Sequence, residues 1–307
     1  MKPASAYPGS QDAGKDFSYP VDNFNAACAS PFGNVMLTDL ALEALKNEDL
    51  GKDEHTDLIT ISYSSPDAVG HTFGPLSKEV NDLYLRLDAD IARLLDALDK
   101  QVGKDNYLLF LTADHGIADV PQYLTDHKVP AGYVKGNILK PAAAAFLNKK
   151  LGEGNWIEYE INEQFYLNHT LINEKGLSLE SVQDLLAGFL RNQQGIFQVY
   201  TAKNMQEESY VTPLASKLQA GYLFKRSGDV LYTYEPGWTE YMTNGSTHGS
   251  GYSYDTQVPL IWYGSGIRQG SSFMKYDITD IVATIVLRLG IKPPHASTGK
   301  GIPEVLR

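Results

Sequence analysis

Five residues in three stretches have the types and spacing of metal ligands. Asp67 and His71 share the stretch SPDAVGHTFG, Asp114 and His115 are adjacent in LTADHG, and His248 lies in GSTHGSGY. The first two stretches each follow a short apolar run that reads as a buried strand, Asp57 to Tyr63 and Tyr107 to Thr112. The third comes just before another such run, Val258 to Gly264. Carboxylate and imidazole ligands at strand ends are what a catalytic zinc centre requires. No residue of the chain convincingly supplies a nucleophile. Ser64 and Ser65 lie beside Asp67, but no base with its orienting partner accompanies them, and strand-end hydroxyls ordinarily bond backbone.

Taken singly, the ligands say little. An Asp and a His one helical turn apart are commonly a solvated pair, and a His in a Gly/Ser loop is commonly an exposed turn residue. The TADHG step says more, because two ligand types directly follow an apolar strand, where unpartnered polar groups are costly. The three stretches together favour a metal centre. His55, His127, His169 and His295 lack comparable settings and read as surface or hydrogen-bonded histidines.

The elements around these residues suggest how they would be placed. Leu37, Leu40, Ala41, Ala44 and Leu45 repeat at helical spacing and stop by Gly51. From Ser77 to Gly103 runs the clearest helix, with Val80, Leu83, Tyr84, Leu87, Ile91, Leu94, Leu95, Leu98 and Val102 on its apolar stripe. Strand, ligand loop, helix, strand, ligand loop is a βαβ unit, so the reading is an α/β fold with a mostly parallel sheet covered by helices on both faces. Sites in such sheets form at the carboxyl edge of the strands, which places Asp67, His71, Asp114 and His115 on one rim. Residues 1–33 read as loop. The character changes between 136 and 241, where two helical stretches and two strand stretches carry no ligand ends; this region reads as an inserted α+β cap subdomain. The core is then expected from 34–135 and 242–307, with a last buried helix over Thr279 to Ile291.

Composition excludes some functions. A chain of 307 residues with 43% hydrophobic and 21% charged residues can bury a sizeable core. Its formal charge of −11 argues against a nucleic-acid surface, while an anionic substrate stays feasible beside divalent cations. Cys28, the only cysteine, allows neither an intrachain disulfide nor a thiolate cluster, and it reads as a buried apolar residue. No apolar stretch reaches the ~20 residues of a membrane helix, and the polar, turn-rich start does not read as a signal peptide.

The stretches ISYSSPDAVGHTFGP, EVNDLYLRLDADIARLLDALD, LLFLTADHG and STHGSGYSYDTQVPLIWYG together resemble the alkaline phosphatase superfamily. Within it the chain is most similar to the zinc-dependent, phosphate-irrepressible bacterial alkaline phosphatases, grouped with the type I phosphodiesterases and nucleotide pyrophosphatases. The resemblance implies an alkaline phosphatase-like three-layer α/β/α fold and hydrolysis of small-molecule phosphate esters through a covalent phosphoenzyme. It also implies two Zn2+ ions, one held by Asp67, His71 and His248 and the other by Asp114 and His115 among its ligands. The nucleophilic Thr, a further Asp ligand and the residues that bind phosphate are expected upstream of this chain, with the first strands of the sheet. The expectation is therefore a C-terminal portion whose activity alone is in doubt, from a periplasmic or secreted enzyme. Rival expectations are a phosphodiesterase of the same superfamily and an inactive half-domain.

Overall fold

The apolar stripe that begins at Val80 folds as one helix, Lys78–Gln101, in the computed structural model, which describes residues 21–134, 136–240 and 245–306. Ser77 Oγ caps its start by accepting from Val80 N at 3.2 Å, and Gly103, with φ of +92°, follows its end. The strands are β1 Leu108–Thr112, β2 Gly132–Val134, β3 Ile157–Ile161, β4 Gln164–Leu167, β5 Ile196–Thr201, β6 Val230–Tyr234, β7 Trp238–Glu240 and β8 Leu260–Gly264.

Two compact units divide the chain. The first holds the described residues through Ser30, then Ser65–Tyr84 and His115–Gln257; the second holds Pro31–Ser64, Leu85–Asp114 and the described residues from Val258. Residues 136–240 lie within the His115–Gln257 stretch of the first unit.

In the first unit β3, β4, β6 and β5 form an antiparallel sheet in that order, and β2 pairs with β7 in parallel. Helices Gly136–Leu151 and Leu179–Leu190 pack on the four-stranded sheet around Trp156, Phe165, Leu186 and Tyr232. Ser178 starts the second of these helices, taking the Ser181 N–H on its Oγ at 3.1 Å. A smaller core of Val69, Phe73, Val80 and Leu83 lies under the helix Ser65–Phe73. In the second unit β1 and β8 pair antiparallel, with Leu108 opposite Gly264 and Thr112 opposite Leu260. Arg288 joins the helix Thr279–Leu289 to its surroundings there, donating to Val305 O at 2.8 Å and Ser265 O at 2.9 Å.

Several expectations change. Asp57 to Tyr63 is not a strand: it pairs with no strand among the described residues, and without a neighbour its backbone groups form no ladder. The parallel βαβ pairing therefore does not appear, and the described sheets are mixed. Residues up to 33 are not all loop, since helices Phe24–Cys28 and Pro31–Asn47 lie there, the first begun by Asn23 Oδ1 on Ala26 N at 3.0 Å; residues 1–20 lie outside the described residues. Cys28 is exposed, because its short helix buries none of its residues. The helix Thr279–Leu289 is amphipathic rather than buried: Ile281, Ala283 and Val286 face inward while Val282, Leu287 and Leu289 stay exposed. Among the described residues no helix is long and apolar enough to cross a membrane.

Asn162 and Glu163, at φ of +50° and +55°, make the two-residue turn between β3 and β4. Burial, with Glu240, Glu160 and Asp255 nearby, pushes the Glu163 carboxyl up to about 7 from an ordinary value near 4.5. The native state thus keeps a proton that the unfolded chain releases first. Stability held below pH ~4.5 is lost as pH rises through ~7, by up to about 3 kcal/mol. Glu163→Gln should flatten this loss. Urea unfolding at pH 5 and pH 8 checks it, and an unchanged difference between the two pH values would refute the burial argument.

Candidate metal centre

The first ligand stretch is a helix, Ser65–Phe73, and not the loop expected. Pro66 suits the first turn, where its missing N–H has no helical partner to lose. Asp67 and His71 thereby stand one turn apart on one face, as i and i+4 residues must. Gly74, with φ of +83°, stops the chain just beyond.

Three imidazoles converge on one oxygen. His71 Nε2 and His248 Nε2 each lie 3.3 Å from Asp67 Oδ1, and His115 Nε2 lies 3.9 Å from it. That oxygen is buried and has no hydrogen-bond partner. The His115 and His248 rings stack, with centroids 3.4 Å apart and planes 15° apart.

The tautomers follow from the other ring nitrogens. His71 Nδ1 is 2.8 Å from Ser246 O, and His115 Nδ1 is 2.8 Å from Gly116 O. A carbonyl accepts only from an N–H, so both Nδ1 atoms carry a proton, and in the neutral rings both Nε2 atoms present lone pairs. Lone pairs facing a carboxylate oxygen repel unless a cation lies between them. Protonation of His248 does not supply it: burial first, then the charge of His115, hold that imidazole below its ordinary range. The donor set therefore fits a metal ion. A tetrahedral ion with bonds of roughly 2.0–2.1 Å holds its ligand atoms ~3.3 Å apart, the spacing found for two of these contacts. Asp67, His71 and His248 bring one ligand atom each within 4.8 Å of one another.

The loop carrying His248 is fastened on both sides. Ser246 N donates to His71 O at 3.2 Å, Ala118 N donates to Thr247 O at 3.1 Å, and Ser246 Oγ donates to Ala118 O. Asp255 Oδ2 accepts from Ser250 N at 2.8 Å and from Ser250 Oγ at 2.6 Å, while Asp255 O takes the Gly116 N–H at 2.7 Å. Buried Asp255 thus ties the His248 loop to the residue after His115. Sequence reading missed it. The available signal was an acidic residue in the YSYDT segment directly after the Gly/Ser loop, with no basic neighbour to answer it.

All of Asp67, His71, His115 and His248 belong to the first unit. Asp114 ends the Leu85–Asp114 segment of the second unit. Sequence comparison matches residues 4–257 to a family described as type I phosphodiesterase / nucleotide pyrophosphatase. The chain is 38% identical over 278 residues to alkaline phosphatase PafA of Elizabethkingia meningoseptica, covering 90% of this chain and 51% of that protein. It is 34% identical over 289 residues to alkaline phosphatase PhoV of Synechococcus elongatus, covering 94% of this chain and 52% of that protein. The crystal structure of wild-type PafA superposes with a TM-score of 0.88 at 37% identity, over 92% of this chain and 54% of that one. The chain spans about half the length of the curated relatives it matches.

Proposed function

The chain belongs to the type I phosphodiesterase / nucleotide pyrophosphatase family and has its alkaline phosphatase-like α/β fold, and from that premise we propose that it is the metal-holding part of a zinc-dependent phosphate-ester hydrolase. The observation that carries the reading is the buried Asp67 Oδ1, without a hydrogen-bond partner and facing the Nε2 atoms of His71 and His248. One zinc takes Asp67, His71 and His248. A second takes His115 and Asp114 among its ligands. Residues 136–241 are, in the same reading, an inserted cap.

Bound zinc supplies Lewis acidity, which stabilises charge on phosphoryl and leaving oxygens and lowers the pKa of water. The chain's own residues prepare the ground for it. Ser246 O and Gly116 O hold the proton of each neutral ring on Nδ1, which leaves Nε2 to face a cation. Asp67 brings the negative charge that offsets part of the ion's own. Asp255 and Ser246 keep the His248 loop in register, which limits the reorganisation needed when substrate arrives.

The names of the relatives favour monoesters, and the description of the family favours diesters. With zinc loaded and the nucleophile supplied by the rest of the enzyme, 4-nitrophenyl phosphate should be hydrolysed about ten-fold faster, by kcat/KM, than bis(4-nitrophenyl) phosphate, and EDTA-treated enzyme should hydrolyse neither. A reversed preference assigns a diesterase. Binding of inorganic phosphate separates the remaining cases. Zinc-dependent binding without turnover leaves a non-catalytic metal-binding half-domain, and the absence of both refutes the metal centre as well.

A further inference from the structure

The first unit contains a cavity beside His248, bounded by β6 and β7 on one side and by the Thr247–Tyr252 loop on another. Its charge has one sign. Glu163, Glu240 and Asp255 line it, and no lysine or arginine is among the described residues of its wall. Lys140 acts on nearby Glu160, and Lys217 donates to Gly251 O and Thr256 Oγ1, each at 2.8 Å. Glu240 is met by Tyr234 Oη at 3.2 Å. The Glu163 carboxylate has burial and neighbouring acids acting on it and no hydrogen bond among the described residues, the mark of repulsion that no counter-charge relieves.

Two more acceptors are left over. Asp255 Oδ1 and Thr239 Oγ1 are buried without a hydrogen-bond partner, on residues of the cavity wall that are each 4% exposed. Such atoms cost free energy unless a ligand donates to them. These acids do not gather closely enough for a metal ion: among the described residues only Asp67, His71 and His248 do so. Trp238 and Tyr234 add aromatic faces, which attract organic cations. Unfilled acceptors also call for N–H donors. A primary ammonium has three, and a quaternary ammonium has none.

We propose that this cavity binds a primary alkylammonium group, and that the group is the amino end of the alcohol portion of the phosphate ester. The second half rests on the hydrolase reading; the first does not. EDTA-treated protein at pH 8, titrated calorimetrically, should bind 4-amino-1-butanol about ten-fold more tightly than the isosteric 1,4-butanediol, and more tightly than its N-trimethyl analogue. Glu163→Gln with Glu240→Gln should remove the preference, and Thr239→Val should weaken it if the double variant folds poorly. His71→Ala should lose zinc and keep amine binding, so a failed metal centre and a failed ammonium site give different results. Equal affinity for amine and diol, or a preference for the quaternary amine, overturns the proposal. In the zinc-loaded enzyme with its nucleophile supplied, the 4-aminobutyl phosphate ester should exceed the 4-hydroxybutyl ester about ten-fold in kcat/KM. Equal rates there, with amine binding intact, would make the cavity a site apart from the leaving group.

Discussion

His248→Ala should strip the proposed centre of its zinc. A four-ligand zinc site binds with about 10–16 kcal/mol, so one ligand accounts for roughly 3–4 kcal/mol, or about 10^2–10^3-fold in affinity. His248 is a severe loss because its Nε2 stands 3.3 Å from Asp67 Oδ1 and its ring stacks on His115, so its removal also frees a second imidazole to turn. Metal content after purification, and competition with a chromogenic chelator, measure the effect. His169→Ala is the control. That histidine also faces a carboxylate, with Nε2 2.9 Å from Asp229 Oδ1, but Asp229 already accepts from Leu167 N at 2.8 Å and from Gln183 Nε2 at 3.3 Å. A carboxylate filled by N–H donors has no vacant place for a cation. His169→Ala should leave zinc content unchanged, and equal zinc in the His248 variant and the parent protein would refute the centre.

The contrast between those two histidines also explains what the sequence could tell. The types and order of the proposed ligands were legible, because a metal centre needs Asp and His at element ends whatever the local conformation. The conformation itself was less so. SPDAVGHTFG reads as a loop by its Gly and Pro, yet Pro66 falls where a helix tolerates it and Gly70 lies inside the same helix, Ser65–Phe73. Asp57 to Tyr63 has the composition of a buried strand, but a strand is a relation between two segments, and no described neighbour supplies the other. Long-range pairings such as β1 with β8, more than 140 positions apart in the chain, leave no local trace beyond two apolar runs. The Asp255 bonds to Ser250 and Gly116 are of the same kind. Short-range signals thus picked out the histidines that converge on Asp67, and tertiary contacts determined what positions them.

Gly116→Ala should be among the most destabilising small substitutions in the first unit. A Cβ at this position would lie 2.1 Å from Tyr254 O and 3.1 Å from Tyr254 C, which is backbone and cannot swing aside as the tip of a side chain can. Relief requires the 254–255 segment to move, and that movement breaks the 2.7 Å bond from Gly116 N to Asp255 O. Overpacking of this kind costs about 1–3 kcal/mol, and loss of a buried backbone hydrogen bond adds about 1–3 kcal/mol, so roughly 3–5 kcal/mol is expected. The effect extends to the metal, because Gly116 O fixes the His115 tautomer and Asp255 anchors the His248 loop through Ser250. Gly188→Ala provides the opposite sign. That glycine sits in the helix Leu179–Leu190 with nothing within 4 Å of an added Cβ, so alanine should stabilise by roughly 0.5–1 kcal/mol through helix propensity alone. Urea unfolding of both variants, with and without zinc, tests the pair. If Gly116→Ala unfolds like the parent protein and keeps its zinc affinity, then the 254–255 backbone yields at little cost, and the close approach at Gly116 is not what seats His115 and His248 together.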